Sequence, residues 1–182
     1  GDSNGFVICN ASSQQTRPLI TADGAGGGII TWTDFRGGNN DIYSQKINSA
    51  GSVQWTANGI AISTAAGNQN SPRMTAMAGG GAVIAWEDET SGADYVQRIN
   101  SAGSTLWTVN GVAVVVPPSG PPSYTNPSIV IDNNGYTILA ADRSSSTAYD
   151  IYAQRIRPNG RLDDKIVPQI PQICSPTPAR QG

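Results

Sequence analysis

Histidine is absent from this chain of 182 residues. Without an imidazole, the chain lacks the commonest general base near neutral pH, a Ser-His-Asp triad and the usual nitrogen ligand of zinc. Charge is scarce as well, since 13% of the residues are Asp, Glu, Lys or Arg and the formal net charge is −2. A nucleic-acid-binding protein shows a clustered basic surface, so this composition argues against a nucleic-acid partner.

Long apolar runs are also missing. No run approaches the roughly 20 residues that a membrane-spanning helix needs, so we expect no membrane span. Glycine (21) and proline (12) are abundant, and no segment has helical periodicity with caps. This pattern predicts an all-β protein of short strands and tight turns.

The chain repeats one pattern three times. Residues 41–51 read DIYSQKINSAG, residues 93–103 read ADYVQRINSAG, and residues 150–160 read DIYAQRIRPNG. The units cover about 17–63, 71–116 and 126–174, within a single repeat domain, 1–182. A period of this size indicates a repeat architecture. We expect each unit to form four short antiparallel strands, the size of a β-propeller blade. Strand two of the first two units is a continuous apolar run, which predicts that Ile30, Trp32, Ile84 and Trp86 are buried, and strand three alternates, with Tyr43, Gln45 and Ile47 on one side.

Several residues recur in every unit and therefore indicate repeat packing. They are Pro18, Pro72 and Pro127; Gly28, Gly81 and Gly135; Asp34, Asp88 and Asp142; Tyr43, Tyr95 and Tyr152; Gln45, Gln97 and Gln154; and Gly51, Gly103 and Gly160. Trp32 matches Trp86, and Trp55 matches Trp107. The third unit departs from the pattern, with Ala140 at the place of the first tryptophan and no tryptophan after Gly160, as in a modified terminal repeat.

The N-terminal residues resemble the last strand of a unit. Residues 4–9 match residues 58–63 and 110–115, which predicts an orphan strand that closes the last blade, either of its own chain or of a neighbouring chain. The two cysteines, Cys9 and Cys174, would then lie close enough for a disulfide, although their spacing also allows two thiols. Three blades leave sheet edges bare, which favours a compact ring, a ring of paired chains or a fibre.

Three segments of the first unit carry a family resemblance. Gly27–Arg36, Asp41–Gly51 and Trp55–Gly59 resemble the repeat of secreted bacterial β-propeller proteins, with W-x-D-x-R, D-I-Y-x-Q-x-I-N-x-x-G and W-x-x-N-G segments. The resemblance implies three four-stranded propeller-like blades and a secreted or cell-surface location.

Residues that do not recur are the better candidates for ligand binding, because the repeat does not demand them. The aromatic candidates lie in predicted loops, where scaffolds of this kind carry function, and the arginines would suit acidic sugars. The candidates are Phe35, Arg36, Tyr124, Arg143 and Tyr149. The alternative for Arg36 is a turn contact with Asp34, whose carboxylate would cap the turn by accepting backbone N–H bonds.

Metal and cofactor chemistry has little support in the sequence. Asp34, Asn39 and Asp41 offer hard oxygen ligands for Ca²⁺, but their spacing matches no calcium loop. We expect no metal centre, no cofactor and no catalytic residues.

These observations predict a non-catalytic extracellular module that acts in surface binding, adhesion or assembly. Its partners would be further copies of the chain, another surface protein or a glycan. The alternatives are a glycan-binding lectin and a subunit of an extracellular fibre assembled by strand or blade exchange. A sialidase-like hydrolase is disfavoured, because no arginine cluster or acid–nucleophile set is recognisable.

Overall fold

The computed structural model describes residues 5–115, 126–144 and 149–163. Within these ranges the protein is all-β and its strands form three antiparallel sheets. No helix that could span a membrane occurs in the described part of the chain. The expected all-β class is therefore confirmed.

Each sheet is formed by strands that follow one another in the chain. Sheet 1 contains β1 (Gln15–Ala22), β2 (Gly28–Asp34), β3 (Asp41–Ile47) and β4 (Ile60–Ser63). Sheet 2 contains β5 (Gln69–Ala76), β6 (Ala82–Asp88), β7 (Ala93–Ile99) and β8 (Val112–Val115). Sheet 3 contains β9 (Ser128–Ile131), β10 (Thr137–Ser144) and β11 (Tyr149–Ile156). The four strands per unit are thus present in the first two sheets, and three strands are described in the third.

The strand register supports the repeat. Tyr43 lies opposite Trp32, and Tyr95 lies opposite Trp86, with the rings stacked in both pairs. Gln45 and Gln97 are fully buried, and each receives two backbone N–H bonds and donates one to a carbonyl. The recurrent glutamines therefore hold the turn after the third strand of each sheet, as packing residues should.

The third unit needs a one-residue correction. Tyr152 lies opposite Ala141, so Ala141, and not Ala140, stands where the tryptophan lies in the other units. Asp142 is accordingly equivalent to Glu87 rather than to Asp88. The glycines of the turns before the second strands align as Gly26, Gly80 and Gly135, all with positive φ, rather than as Gly28, Gly81 and Gly135. Sequence spacing had misplaced them because the turns differ in composition.

The sheets stack in the order of the units. Strand alternation places Ile29 and Ile42 on one face of sheet 1, where they pack against Ile84, Trp86 and Ile99 of sheet 2. The opposite face of sheet 2 packs against sheet 3. This second core consists of Val83, Ala85, Val96 and Val114 with Ile129, Leu139, Ala141 and Ile156. Sheet 2 is therefore covered on both faces, which explains why every residue of β6 is buried.

The predicted burial of strand two is largely confirmed. Trp32, Ile84 and Trp86 are buried, and Ile30 is half-buried. Ile30 differs from its equivalent Ile84 because it lies on the face of sheet 1 that no other sheet covers.

Within one chain, the predicted orphan strand does not close sheet 3; closure in a neighbouring chain stays a prediction. Residues 5–9 form no strand, and sheet 3 contains only β9, β10 and β11 among the described residues. The segment instead lies against sheet 1, where the backbone N–H of Asn10 donates to Asn58 Oδ1 at 2.9 Å. The same bond joins Thr64 to Asn110 one unit later. The end of a fourth strand thus contacts the following sheet, and residues 5–10 contact sheet 1 in the same way.

Candidate binding site between the inner strands

The first strands of the three sheets lie side by side. β1 is adjacent to β5, and β5 is adjacent to β9, while β4 and β8 lie at the far edges of their sheets. A cavity of about 400 Å³ opens between these three strands, and we call it the inner-strand cavity. Its lining residues are Arg17, Pro18, Leu19, Ser71, Pro72, Arg73 and Asn126.

The recurrent prolines create this cavity. Arg17, Ser71 and Asn126 directly precede Pro18, Pro72 and Pro127, and all three have positive φ, between 40° and 53°. The pairing of β1 with β2 and of β5 with β6 is interrupted at these positions by bulges. Bulges redirect side chains and often lie beside functional sites. A non-glycine residue at positive φ is also strained, so three equivalent instances mark a region that the surrounding structure must stabilise.

Two arginines give the cavity its charge. Arg17 Nη1 donates to Ser71 Oγ at 3.2 Å, and Arg73 Nη1 donates to the Pro72 carbonyl at 3.0 Å. Arg73 Nη2 lies 3.4 Å from Asn126 Oδ1. Neither guanidinium forms an ion pair with a described carboxylate. A guanidinium carries five N–H donors, so both side chains retain donors for an anion.

These two arginines were missed by the sequence analysis. Arg17 corresponds to Ser71 and Asn126, and Arg73 corresponds to Leu19 and Ser128. Neither arginine recurs in the other units. Non-recurrence indicates a residue that the repeat does not demand, but it was used as a sign of ligand binding only in the predicted loops. The alignment of the units did not show that Arg17 of β1 and Arg73 of β5, which are not equivalent positions, line the same cavity.

Arg36, a predicted ligand residue, is occupied by internal contacts. Its Nε donates to Asp34 Oδ1 at 2.8 Å, its Nη2 donates to the Asn58 carbonyl, and its guanidinium lies 3.9 Å from the centre of the Tyr43 ring. The backbone N–H of Arg36 also donates to Asp34 at 3.0 Å. The alternative interpretation, an Asp–Arg turn contact with a capping carboxylate, is confirmed.

The electrostatics of this pair agree with a structural role. Burial alone would raise the pKa of Asp34, but the hydrogen bonds from Arg36 and from Trp32 Nε1 outweigh it and hold the pKa below its ordinary value. The same contact raises the pKa of Arg36. Asp34 therefore stays ionised and compensated, without a free oxygen for a ligand.

Phe35 is not among the described residues that line the inner-strand cavity. Phe35 is 41% exposed and lies at the end of β2, where its N–H donates to the Gln14 carbonyl. The backbones of Arg143 and Tyr149 lie near the paired ends of β10 and β11. Tyr124 lies outside the described residues. The role of all four residues in binding stays a prediction.

The calcium candidates are close in space but poorly suited to a cation. Asn39 Nδ2 donates to Asp41 Oδ1 at 2.9 Å, and Asp34 forms an ion pair with Arg36. Burial raises the pKa of Asp41, with a further contribution from the Asp34 carboxylate. No cluster of three or more His, Cys, Asp or Glu side chains with metal-binding geometry occurs in the described ranges.

The predicted disulfide cannot be placed, because Cys174 lies outside the described residues. Cys9 Sγ lies 3.4 Å from Arg36 Nη2, so the segment before β1 is held against the Asp34–Arg36 pair. The disulfide stays a prediction.

No family model and no curated sequence matches this chain. Solved structures match it in fold. A thermostable family-43 glycoside hydrolase aligns with a TM-score of 0.52 and 11% identity, over 84% of this chain and 54% of its own. An endo-arabinase from Bacteroides thetaiotaomicron VPI-5482 aligns with a TM-score of 0.49 and 15% identity, over 84% of this chain and 61% of its own.

The chain thus spans about half the length of the family-43 glycoside hydrolase that it matches. The likeness places this protein among all-β proteins built from consecutive antiparallel sheets. At this level of identity it is a statement about fold alone.

Proposed function

We propose that this protein is a non-catalytic, extracellular binding module whose three sheets are propeller-like blades. Its ligand site is the inner-strand cavity, and its ligand is an anionic glycan with carboxylate groups. The support for blades is the repeated order of strands, the face-to-face stacking of the sheets and the convergence of their first strands. The secreted or cell-surface location rests on the resemblance to secreted propeller repeats.

The observation that carries the proposal is the pair Arg17 and Arg73. A chain with a net charge of −2 places two guanidiniums beside one cavity, and no carboxylate is among the described residues that line it. Arginine recognises carboxylates through parallel N–H bonds, and the geometry favours planar anions over neutral groups. Ser71 and Asn126 add neutral polar groups of the kind that bind sugar hydroxyls.

The same lining argues for binding without catalysis. Hydrolysis of a glycosidic bond ordinarily uses a pair of carboxylates on either side of the bond. The described residues of the cavity lining supply none, and the hydroxyl of Ser71 has no histidine to activate it, since the chain contains no histidine. The buried Asp34 is already neutralised by Arg36.

The proposal is tested by titration calorimetry with a glucuronate-containing oligosaccharide and with its neutral glucose counterpart. We expect binding of the acidic oligosaccharide that weakens as salt rises, because both partners are charged. The double variant Arg17→Gln, Arg73→Gln should lose at least about tenfold in affinity, which corresponds to about 1.4 kcal/mol.

The matched control is Arg161→Gln, which removes an exposed arginine from a turn remote from the cavity lining. This variant should bind like the parent. Equal binding of the neutral oligosaccharide would support the lectin alternative instead. Shortened products after prolonged incubation would overturn the non-catalytic assignment.

A further inference from the structure

The outer face of sheet 1 carries apolar side chains that no described sheet covers. Ile20 is 66% exposed, whereas its equivalent in sheet 2, Met74, packs in the core against sheet 1. Ile30 is half-buried, whereas its equivalent Ile84 is fully buried. We call this surface the leading face; it consists of Ile20, Ile30, Tyr43 and Ile47, with Phe6 beside it.

The outer face of sheet 3 is the complementary surface. Its register makes Ile138 and Ile151 equivalent to Ile29 and Ile42, the fully buried residues with which sheet 1 contacts sheet 2. Ile151 is 45% exposed. Val130, on the same face, is 54% exposed. We call this surface the trailing face; it consists of Val130, Ile138, Ala140, Ile151 and Ala153.

We propose that the trailing face of one copy of this chain docks on the leading face of a second copy. Within one chain the same contact already forms twice, between sheets 1 and 2 and between sheets 2 and 3. A surface that packs this way inside the molecule is complementary to its repeat-equivalent partner in another molecule. The contact joins two different faces, so it is heterologous and permits rings or filaments.

The segment before β1 strengthens this assignment. The Phe6 ring lies against Gly51, just as Trp55 and Ile60 lie against Gly103 in the following unit. Residues 6–9 therefore occupy the position, relative to sheet 1, that the fourth strand of a preceding sheet would occupy. A second copy whose sheet 3 covers the leading face would bring β11 beside this segment, and β11 has no partner on that edge among the described residues.

The aromatic residues are complementary as well. Val53 and Thr105 each form a β-bridge with the third strand of their sheet. Trp55 and Trp107 lie two residues after these bridges. In unit three the equivalent bridge residue is Leu162, and the sequence places Asp164 where a tryptophan would be. Unit three of the docking copy therefore has no aromatic ring to place on Gly51 of the second copy. Phe6 of the second copy lies on this glycine instead.

A cavity of about 610 Å³ marks the unfilled part of the leading face. It lies between Phe6, Ile20 and Ile47. Apolar surface of this kind favours association because docking removes it from water. Two docked copies would align six sheets, a number within the range of propellers.

The test uses two variants of the full chain, measured by light scattering and sedimentation velocity. Ile20→Glu alters the leading face alone, and Val130→Glu alters the trailing face alone. We expect the parent to associate and each variant to be monomeric at the same concentration. A 1:1 mixture of the two variants should form heterodimers, because one intact leading face and one intact trailing face remain. Val109→Glu, at an 81% exposed position in a turn, is the control and should associate like the parent.

Covalent trapping tests the register of the docked segment. Cys9 is equivalent to Ser63, which lies opposite Ile42, and Ile151 is equivalent to Ile42. In a Cys174→Ser background, Ile151→Cys should therefore link to Cys9 of another copy under mild oxidation and give a reducible dimer band. Val130→Cys, on the inner strand of the same face, should not form this link.

Three results would overturn the proposal. The first is a parent that is monomeric at every concentration. The second is a Val130→Glu variant that still associates, since this would indicate a contact between two leading faces. The third is the absence of a Cys9-dependent dimer for Ile151→Cys, since this would contradict the predicted register.

Discussion

The indole of Trp55 lies directly on Gly103, a turn glycine of the next unit. A Cβ at Gly103 would lie 3.0 Å from the ring carbons Cδ2 and Cε2 of Trp55, and Trp55 Nε1 donates to the Ser101 carbonyl at 3.3 Å. Likewise, a Cβ at Gly160 would lie 2.8 Å from Cδ1 and Cγ of Trp107. The glycine that recurs after the third strand therefore serves two purposes: it adopts a positive φ, and it leaves room for the aromatic ring of the unit before it.

We expect Gly103→Ala to destabilise the protein more than a positive φ alone explains. An alanine in the left-handed region costs about 1–2 kcal/mol. Overlap with the Trp55 ring adds about 1–3 kcal/mol. Urea unfolding followed by tryptophan fluorescence measures the loss of unfolding free energy.

Gly79→Ala is the matched control for this substitution. Gly79 has φ +86°, close to the +87° of Gly103, but nothing lies within 4 Å of the Cβ position. Gly79→Ala should therefore lose only the part of the unfolding free energy that comes from an alanine at positive φ. Equal losses for the two variants would show that the Trp55 contact does not couple the units.

The two equivalent tryptophans of the second strands should respond differently to phenylalanine. Trp32 Nε1 donates to Asp34 Oδ2 at 2.8 Å, whereas Trp86 Nε1 is buried without a hydrogen-bond partner in the described structure. Trp32→Phe loses a bond to a charged group, and Trp86→Phe removes an unsatisfied donor. We expect Trp32→Phe to be more destabilising than Trp86→Phe by about 1–3 kcal/mol in thermal or urea unfolding.

Trp86→Ala tests the packing of the central sheet. Its side chain is fully buried between sheets 1 and 2, so its removal should cost about 3–5 kcal/mol. A variant that unfolds at the same urea concentration as the parent would contradict the observed stacking of the sheets.

Arg36→Gln should make the unfolding free energy depend less on pH below neutrality. The pKa of Asp34 is held below its ordinary value in the folded protein, so ionised Asp34 contributes stability above its unfolded pKa, and this contribution is lost as the pH falls through the folded pKa. Without Arg36 the pKa of Asp34 rises, and the variant should be less stable near neutral pH by about 2 kcal/mol.

The checking measurement is unfolding free energy from about pH 7 down to about pH 3, a range that brackets ordinary carboxyl pKa values. The parent should lose more stability over this range than Arg36→Gln. Asp41 reinforces the contrast: burial raises its pKa, and Arg36 partly lowers it, so removal of Arg36 raises the pKa of Asp41 further. Protonation of Asp41 at low pH should therefore stabilise the folded variant more than the folded parent. Arg161→Gln should keep the acid slope of the parent; the same slope for Arg36→Gln would refute the assigned role of the pair.

Local patterns predicted the strands well. The alternation of Tyr43, Gln45 and Ile47 and the apolar run of β2 place both strands correctly, because side-chain periodicity reflects which faces are buried. The Asp34–Arg36 contact was also foreseen, since it joins residues two positions apart. Local spacing was less reliable in unit three, where the register had to be corrected through the pairing of Tyr152 with Ala141.

The N-terminal segment shows why local similarity was insufficient. Residues 4–9 resemble a fourth strand, and the resemblance led to a predicted pairing with sheet 3. Their position on sheet 1 depends on Phe6 at Gly51 and Asn10 at Asn58, contacts that span more than 40 residues. Similarity to a strand identifies a preferred backbone and not the sheet that receives it.

The sequence by itself determined the repeat, the strand periodicity, the turn glycines and the absence of histidine chemistry, because these depend on neighbouring residues and on composition. Only the tertiary structure decided which sheet faces are covered and which arginines line one cavity. Arg36 is occupied by Asp34, while Arg17 and Arg73 converge from strands of different sheets. Such convergence depends on how stacked sheets align their first strands, and this alignment is set by packing between units that are about 50 residues apart.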